Sequence, residues 1–494
     1  MAKITLGLLL AFVCVTATWA QDGSPDISFG NGGTVQTDIN NEYDVAYSIA
    51  EHNGGLLVGG TAEVNNIEYP ALVRYLEDGT IDTSFGDNGV LLGTETGSAG
   101  PYIFVTEHEN NTILAGNYVN FQQQLTRFLP NGALDTNFGN NGALLALADN
   151  QLGTPAVLND NKILVVTVGD QSGELQLVSQ RYLANGTNDI SYGSNGIATA
   201  SVGLATSGTI SKVLVGVDNS LFVILNSFLT QAGGYQIVKL DASGEIDSSY
   251  GNLGVATTLV DPDFTLISAT LYPDGKVALL SSKYFMNPDR YETEIAQHLP
   301  NGQPNTAFGS QGILGIPDNN LTVFTITAQP NGRLLLYGEL TDFFEGGGPT
   351  YLKRYFENGA IDPSLSIDTE LNPEYFASTM LLQEDGKIVC LGTSAWYNGD
   401  PDFIIERYSN DPLGLVERLT GSIFVSPNPS AGIFNISFQE VDAHDQPYKI
   451  YDITGKTIKT GLISTQYTSV DISEMAAGVY FLNIQGSVFR LLKI

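Results

Sequence analysis

The chain has 494 residues, 43% of them hydrophobic and 15% charged, a globular composition that excludes a largely disordered protein. Its formal net charge of −32 argues against nucleic acid and anionic membrane surfaces as partners. The 54 glycines, together with many β-branched and aromatic residues, favour short strands joined by tight turns.

Residues 1–20 have the pattern of a secretory signal peptide. A basic residue, Lys3, precedes an apolar run from Leu6 to Val15, and small residues end at Ala20, after which we expect cleavage. The apolar run is too short to cross a bilayer, so no transmembrane segment is predicted. Cys390 would be the one cysteine left, which excludes an intrachain disulfide.

A phrase rich in turn residues recurs from residue 21 onwards. It begins as QDGSPDISFGNGGTV at 21–35 and returns at intervals of 53–58 residues. The copy at 358–368 lacks the aromatic–glycine pair, and we call it the worn copy. Its aspartates are Asp26, Asp82, Asp135, Asp189, Asp247 and Asp362. Its aromatic–glycine pairs are Phe29–Gly30, Phe85–Gly86, Phe138–Gly139, Tyr192–Gly193, Tyr250–Gly251 and Phe308–Gly309, with Leu365 in the worn copy.

These repeated residues are interpreted as structural. An aspartate at this position suits an Asx turn, whereas a catalytic site needs unlike groups that converge rather than one group repeated. The glycine is expected to have a positive φ, and the aromatic side chain to pack between neighbouring repeats.

Each repeat contains about four apolar or alternating runs of strand length, placed in the first repeat near 33–38, 44–51, 55–62 and 70–76. Seven such units without capping repeats favour a closed ring over a solenoid. The sequence therefore predicts an all-β protein, a seven-bladed β-propeller over residues 21–410. The turn phrase and the strand-length runs keep the same order and spacing from unit to unit, and in this arrangement they resemble the delta-60 repeat family of β-propellers. This resemblance implies the same fold.

A strand in each unit ends in a basic residue followed by an apolar or aromatic one. The basic positions are Arg74, Arg127, Arg181, Lys239, His298, Arg354 and Arg407. The unit with His298 is also the one with Asn305 in place of aspartate. We therefore expect each basic residue to form an ion pair with the aspartate of the following turn.

The sequence contains no recognisable catalytic motif. Its four histidines show no metal-ligand spacing, and neither a nucleophile elbow nor a dinucleotide fingerprint is present. We predict no catalytic, cofactor-binding or metal site. The acidic pieces at 261–264 and 398–403 leave calcium open as an alternative, although Asp and Pro are ordinary turn residues.

The repeat stops after residue 410. Residues 411–423 are interpreted as a linker, and 424–494 as a small β-sandwich with alternating strands. This tail resembles the type A C-terminal sorting domain of the type IX secretion system of Bacteroidetes, an unrelated adhesive module being the alternative. The residues that carry the resemblance are Pro427, Asn428, Pro429, Gly432, Gly455, Gly478, Tyr480 and Lys493. It implies that the secretion machinery is a partner and that the protein is secreted or held at the cell surface.

The predicted function is a non-catalytic scaffold that binds protein or glycan. An extracellular polysaccharide hydrolase or lyase, with its site in the propeller channel, is the alternative. A ring of seven blades needs seven linkers, and the N-terminal phrase has the form of the missing one. Residues 22–32 are therefore expected to pack beside the end of the last blade, with Phe29 between the last blade and the first.

Overall fold

The computed structural model divides the chain into two compact units, residues 1–411 and 412–494. Secondary structure is described for residues 22–93, 100–119, 122–145, 154–171, 174–202, 208–227, 234–258, 263–286, 289–318, 320–340, 349–365, 367, 375–394, 400–410, 423–426, 430, 432–438, 446–452, 456–463, 467–476, 478–484 and 487–493. The predicted signal peptide lies outside these residues, as does the predicted linker except for its last residue, Ile423, which begins a strand.

Strands in the described part of the first unit form seven antiparallel sheets, one for each sequence repeat. The first contains β2 (Asp44–His52), β3 (Gly55–Glu63), β4 (Glu68–Tyr75) and β5 (Val90–Leu92); the second β6 (Phe104–His108), β7 (Thr112–Val119), β8 (Gln122–Phe128) and β9 (Ala143–Leu145); the third β10 (Thr154–Val157), β11 (Ile163–Gln171), β12 (Glu174–Tyr182) and β13 (Ile197–Ser201); the fourth β14 (Gly208–Val215), β15 (Leu221–Ser227), β16 (Tyr235–Leu240) and β17 (Val255–Thr258). The fifth contains β18 (Thr265–Leu271), β19 (Val277–Met286), β20 (Asp289–His298) and β21 (Ile313–Ile316); the sixth β22 (Leu321–Ala328), β23 (Leu334–Leu340) and β24 (Thr350–Tyr355); the seventh β25 (Tyr375–Leu382), β26 (Ile388–Ser394), β27 (Phe403–Tyr408) and β1 (Thr34–Thr37).

The two ends of the first unit meet in the seventh sheet. Strand β1 pairs with β27 so that Val35 lies opposite Ile405. This corrects our grouping of the 33–38 run with the first repeat, since the outer strand of the first sheet is β5. The turn that precedes β1 also lies beside β27, because the Asp26 amide donates to the Arg407 carbonyl at 2.8 Å.

Apolar clusters fill the seams between successive sheets, and each contains the aromatic residue of one linker, or Leu365 in the worn copy. Phe85 packs with Leu72 of the first sheet and Ile113 of the second. Phe29 is fully buried with Val58 of the first sheet and Leu391 of the seventh. The closing seam is therefore packed like the others, as predicted for Phe29.

Strand direction divides the first unit into two ends. In each sheet the turn between the first and second strands lies at the same end as the linker after the third strand, because the neighbouring strands are antiparallel. We call this the linker end, and all repeated aspartate, aromatic and glycine residues belong to it. The opposite, loop end carries connections of unequal length, from 120–121 in the second sheet to 93–103 between the first and second sheets.

The second unit is also built from strands around its own apolar core. One sheet contains β28 (Ile423–Ser426), β29 (Ile433–Phe438) and β32 (Tyr467–Asp471), and the other contains β31 (Thr457–Ile463), β30 (Gln446–Asp452), β33 (Gly478–Ile484) and β34 (Ser487–Lys493). No helix in the described residues of the chain is long and apolar enough to cross a membrane.

Candidate functional site

The repeated aspartates at the linker end form Asx turns. In the first repeat, Asp82 Oδ1 accepts hydrogen bonds from the backbone amide and the hydroxyl of Ser84, at 3.0 and 2.6 Å. The same arrangement recurs at Asp26, Asp189, Asp247 and Asp362. One carboxylate oxygen is thereby used to hold the turn, and the other remains for a partner outside it.

That second oxygen contacts the basic residue at the end of the third strand. The shortest nitrogen–oxygen distances are 3.2 Å for Arg74–Asp82, 2.8 Å for Arg127–Asp135, 2.9 Å for Arg181–Asp189, 2.9 Å for Lys239–Asp247, 2.8 Å for Arg354–Asp362 and 2.9 Å for Arg407–Asp26. Arg127 also donates to the carbonyl of Ala184 in the next linker, and Arg407 to that of Glu77. The predicted ion pairs therefore exist in six repeats, and several arginines also connect one sheet to the next.

The fifth repeat requires a correction. Gln297 occupies the basic position there, since the Asn305 amide donates to its carbonyl just as Asp82 donates to that of Arg74. His298 instead takes the place of Tyr75, because it bridges Pro304 as Tyr75 bridges Ile81. Our assignment was one residue too late, because histidine was read as the basic residue of the pattern.

An amide pair replaces the ion pair in this repeat. The Asn305 side-chain amide donates to Gln297 Oε1 at 2.5 Å, and Gln297 Nε2 donates to the hydroxyl of Tyr272 at 3.0 Å. The side chains at both positions are thus uncharged in this repeat, and a hydrogen bond still joins them.

The described histidines form structural hydrogen bonds. His52 Nε2 lies 2.9 Å from the Asn111 carbonyl and His108 Nε2 lies 2.8 Å from that of Asn161, so these two are equivalent by repeat. His298 lies between the Thr258 hydroxyl and the Gly302 carbonyl. Burial lowers the pKa of all three, which favours the neutral ring.

The hairpin of β19 and β20 carries an aromatic cluster at the loop end. These two strands have ten residues each and pair as far as Met286 and Asp289. Residues 283–286 and 289–292, which we call the hairpin tip, include Tyr284 and Tyr291 directly opposite each other, with ring centroids 5.1 Å apart. Tyr284 is 48% exposed and Met286 is 83% exposed.

The other face of the hairpin tip combines an aromatic ring with cations. The Arg290 guanidinium lies 4.0 Å from the ring centroid of Phe285, and Lys283 Nζ lies 4.9 Å from it. Lys283 also pairs with Asp263 at 2.9 Å. Sequence analysis did not select these residues, because KYFM and DRY show only ordinary strand alternation until the two strands are paired.

A second group at the loop end contains three carboxylates. One oxygen from each of Asp38, Asp44 and Asp402 lies within 4.8 Å of the others. Asp402 belongs to the acidic piece at 398–403 that sequence analysis left open for calcium. In the other piece, Asp263 pairs with Lys283, and 261–262 lie outside the described residues.

Four residues of the sorting pattern are described in the second unit. Gly432 has a φ of +128°, and a Cβ there would lie 2.4 Å from the Ser473 Cα, so the close approach requires glycine. Tyr480 and Lys493 are buried, and Gly478 opens β33. The residues 427–429 and 455 lie outside the described part of the chain.

Comparisons with solved structures give only distant likenesses. A polysaccharide lyase, Uly1, aligns with 10% identity and a TM-score of 0.46 over 74% of this chain and 89% of its own. An acylaminoacyl peptidase of Pyrococcus horikoshii aligns with 10% identity and a TM-score of 0.40 over 83% of this chain, which spans 60% of the peptidase. Sqt1 of Chaetomium thermophilum, bound to the N-terminus of ribosomal protein L10, aligns with 11% identity and a TM-score of 0.36. The alignment covers 75% of this chain and 98% of Sqt1. These values carry no functional argument, and no curated protein matches the sequence.

Family matches are found in both units. Residues 53–85, 329–365 and 383–411 match the β-propeller described as a domain of unknown function, DUF5122. Residues 424–491 match the secretion system C-terminal sorting domain, which indicates export by the type IX system to the cell surface or the medium. The chain thus carries a DUF5122 β-propeller and a type IX C-terminal sorting domain.

Proposed function

We propose that this exported propeller is a binding protein whose loop end recognises an extracellular protein or glycan. The observation that carries the proposal is the hairpin tip, where Tyr284 and Met286 are exposed on one face and Arg290 lies over the Phe285 ring on the other. Tyrosine, methionine and arginine are the residue types enriched at binding interfaces. The two neighbouring tyrosine rings give an amphipathic surface, and the hydrogen bond from the Tyr284 hydroxyl to Asp289 holds one of them in place.

The division between the two ends supports the same conclusion. At the linker end, the repeated polar side chains are used in Asx turns and ion pairs that hold the ring together. At the loop end, connections differ from sheet to sheet, as in folds that present binding loops on a rigid scaffold. We therefore place the binding surface at the loop end.

The test is a screen of the purified chain on glycan and protein arrays, followed by affinity measurements on each hit. Tyr284→Ala should weaken binding about tenfold or more, as expected for an interface hot spot. Leu253→Ala is the matched control, because Leu253 is 75% exposed at the linker end, and binding should be unchanged. Arrays without a hit, or equal binding by both variants, would contradict the proposal. Cleavage of a polysaccharide would instead favour the enzymatic alternative.

A further inference from the structure

The three-carboxylate group lies where the first unit closes. Asp38 directly follows β1, the outer strand of the seventh sheet, and Asp44 begins β2, the inner strand of the first sheet. Asp402 immediately precedes β27, to which β1 is paired. The group therefore joins segments from the two ends of the unit at the loop end of one seam.

Negative charge at this group is not compensated by protein cations. Asp44 is fully buried and Asp402 is 9% exposed, yet among the described residues no lysine or arginine forms an ion pair with any of the three. Like carboxylates at this distance disfavour each other's ionised forms.

The carboxylate of Asp44 also has an unused oxygen. Its Oδ2 accepts the Ile39 amide, whereas its Oδ1 is buried without a hydrogen-bond partner in the described part of the chain. The other two carboxylates are each held by one donor, Asp38 by the Asn41 amide and Asp402 by the Gln36 side chain. Buried acceptors are normally satisfied, and a cation bound among these three carboxylates would satisfy this oxygen.

We propose that Asp38, Asp44 and Asp402 bind a calcium ion that fastens the first sheet to the seventh. Carboxylate oxygens are hard ligands, and calcium accepts six to eight oxygens in irregular geometry, whereas magnesium requires a near-ideal octahedron. Export places the protein outside the cytoplasm, where calcium modules have dissociation constants on the order of 10⁻⁴ to 10⁻³ M. Because the ion contacts segments on both sides of the closing seam, binding would stabilise the closed ring.

Calcium titration calorimetry on the full chain, after dialysis against a chelator, tests the proposal. One ion should bind per chain, and the melting temperature should rise in about 5 mM calcium, several times the expected dissociation constant, but less in equal magnesium. Asp44→Asn and Asp402→Asn should each weaken calcium binding on the order of tenfold or more, because ligand charge sets affinity. Both amides keep the size of the carboxylate they replace.

Two further variants keep the test decisive. Asp38→Asn changes an exposed carboxylate, so it reports on binding even if Asp44→Asn does not fold. Asp87→Asn removes one exposed charge at the linker end and should bind calcium like the unaltered chain. An absence of saturable binding, equal stabilisation by magnesium, or unchanged affinity in the Asp38→Asn and Asp402→Asn variants would overturn the proposal.

Discussion

The substitution Phe29→Ala tests whether the N-terminal turn closes the ring. Phe29 is fully buried between the seventh and first sheets, and the Arg407 guanidinium lies 4.3 Å from its ring centroid. Truncating a buried phenylalanine to alanine costs about 3–5 kcal/mol, from lost transfer energy and the cavity left behind. The substitution should therefore lower the free energy of unfolding by that amount, although it lies close to the start of the folded unit.

Phe138→Ala provides a matched control in the middle of the chain. Phe138 is also fully buried in a seam, and Arg127 lies over its ring at 4.6 Å. Urea unfolding followed by tyrosine fluorescence should show similar losses for both variants, as a lower midpoint with an unchanged slope. A loss below about 1 kcal/mol for Phe29→Ala, beside a full loss for Phe138→Ala, would show that the N-terminal segment frays independently and does not close the ring.

Three more predictions concern the linker turns. Gly86→Ala should cost more than about 2 kcal/mol in unfolding experiments, because φ is +55° and the new Cβ would lie 2.2 Å from a carbonyl oxygen. Asn305→Asp should destabilise the chain and Gln297→Arg should reverse the loss, with a coupling of about 1–3 kcal/mol in a double-mutant cycle. The hydrogen bond from Ser84 holds the pKa of Asp82 below its usual 3.8, so the unfolded state takes up the proton first. The contribution of the Asp82 carboxylate to the free energy of unfolding should be complete above about pH 5. It should be lost as the pH falls below 3.8 through the folded-state pKa, and unfolding experiments at a series of pH values measure this loss.

Each of these predictions has its own comparison. Gly32 also has a positive φ, +66°, but a Cβ there would meet nothing within 4 Å, so Gly32→Ala should cost less than the Gly86 change. An additive double-mutant cycle would contradict the pairing of Gln297 with Asn305. In the acid series, Ser84→Ala should raise the pKa of Asp82 and weaken the dependence on pH. A stability that rises on acidification would contradict the reasoning.

The sequence was sufficient for the fold because the repeat combines local signals that act in the same direction. Turn residues at a constant interval, with strand-length apolar runs between them, predict a ring of sheets. The aromatic of the first phrase, Phe29, was placed in the closing seam by counting linkers. The strand after it, β1, was not placed in the seventh sheet, because no local pattern distinguishes a strand that pairs with its own repeat from one that pairs with another.

Non-local features were the ones that sequence reasoning missed. Gln297 and His298 are adjacent, and the backbone contacts of Asn305 and Pro304 with them show which of the two occupies the basic position. The carboxylates of Asp44 and Asp402 approach each other because the ring closes, so no spacing along the chain predicts their contact. The hairpin tip is similar, since the rings of Tyr284 and Tyr291 meet only when β19 and β20 are in register.

The closing contact also sets an order of assembly in time. Asp26 and Arg407 are separated by 381 positions, so at 5–20 residues per second the first turn is made roughly 20–75 s before its partner. During that interval β1 has no partner strand, and one face of the first sheet is uncovered. Such a long-range contact is slow to form, and an unpaired strand edge invites association with other chains. The first residues of the ring to be synthesised are therefore the last to be locked in place, and loss of either end leaves an open sheet edge.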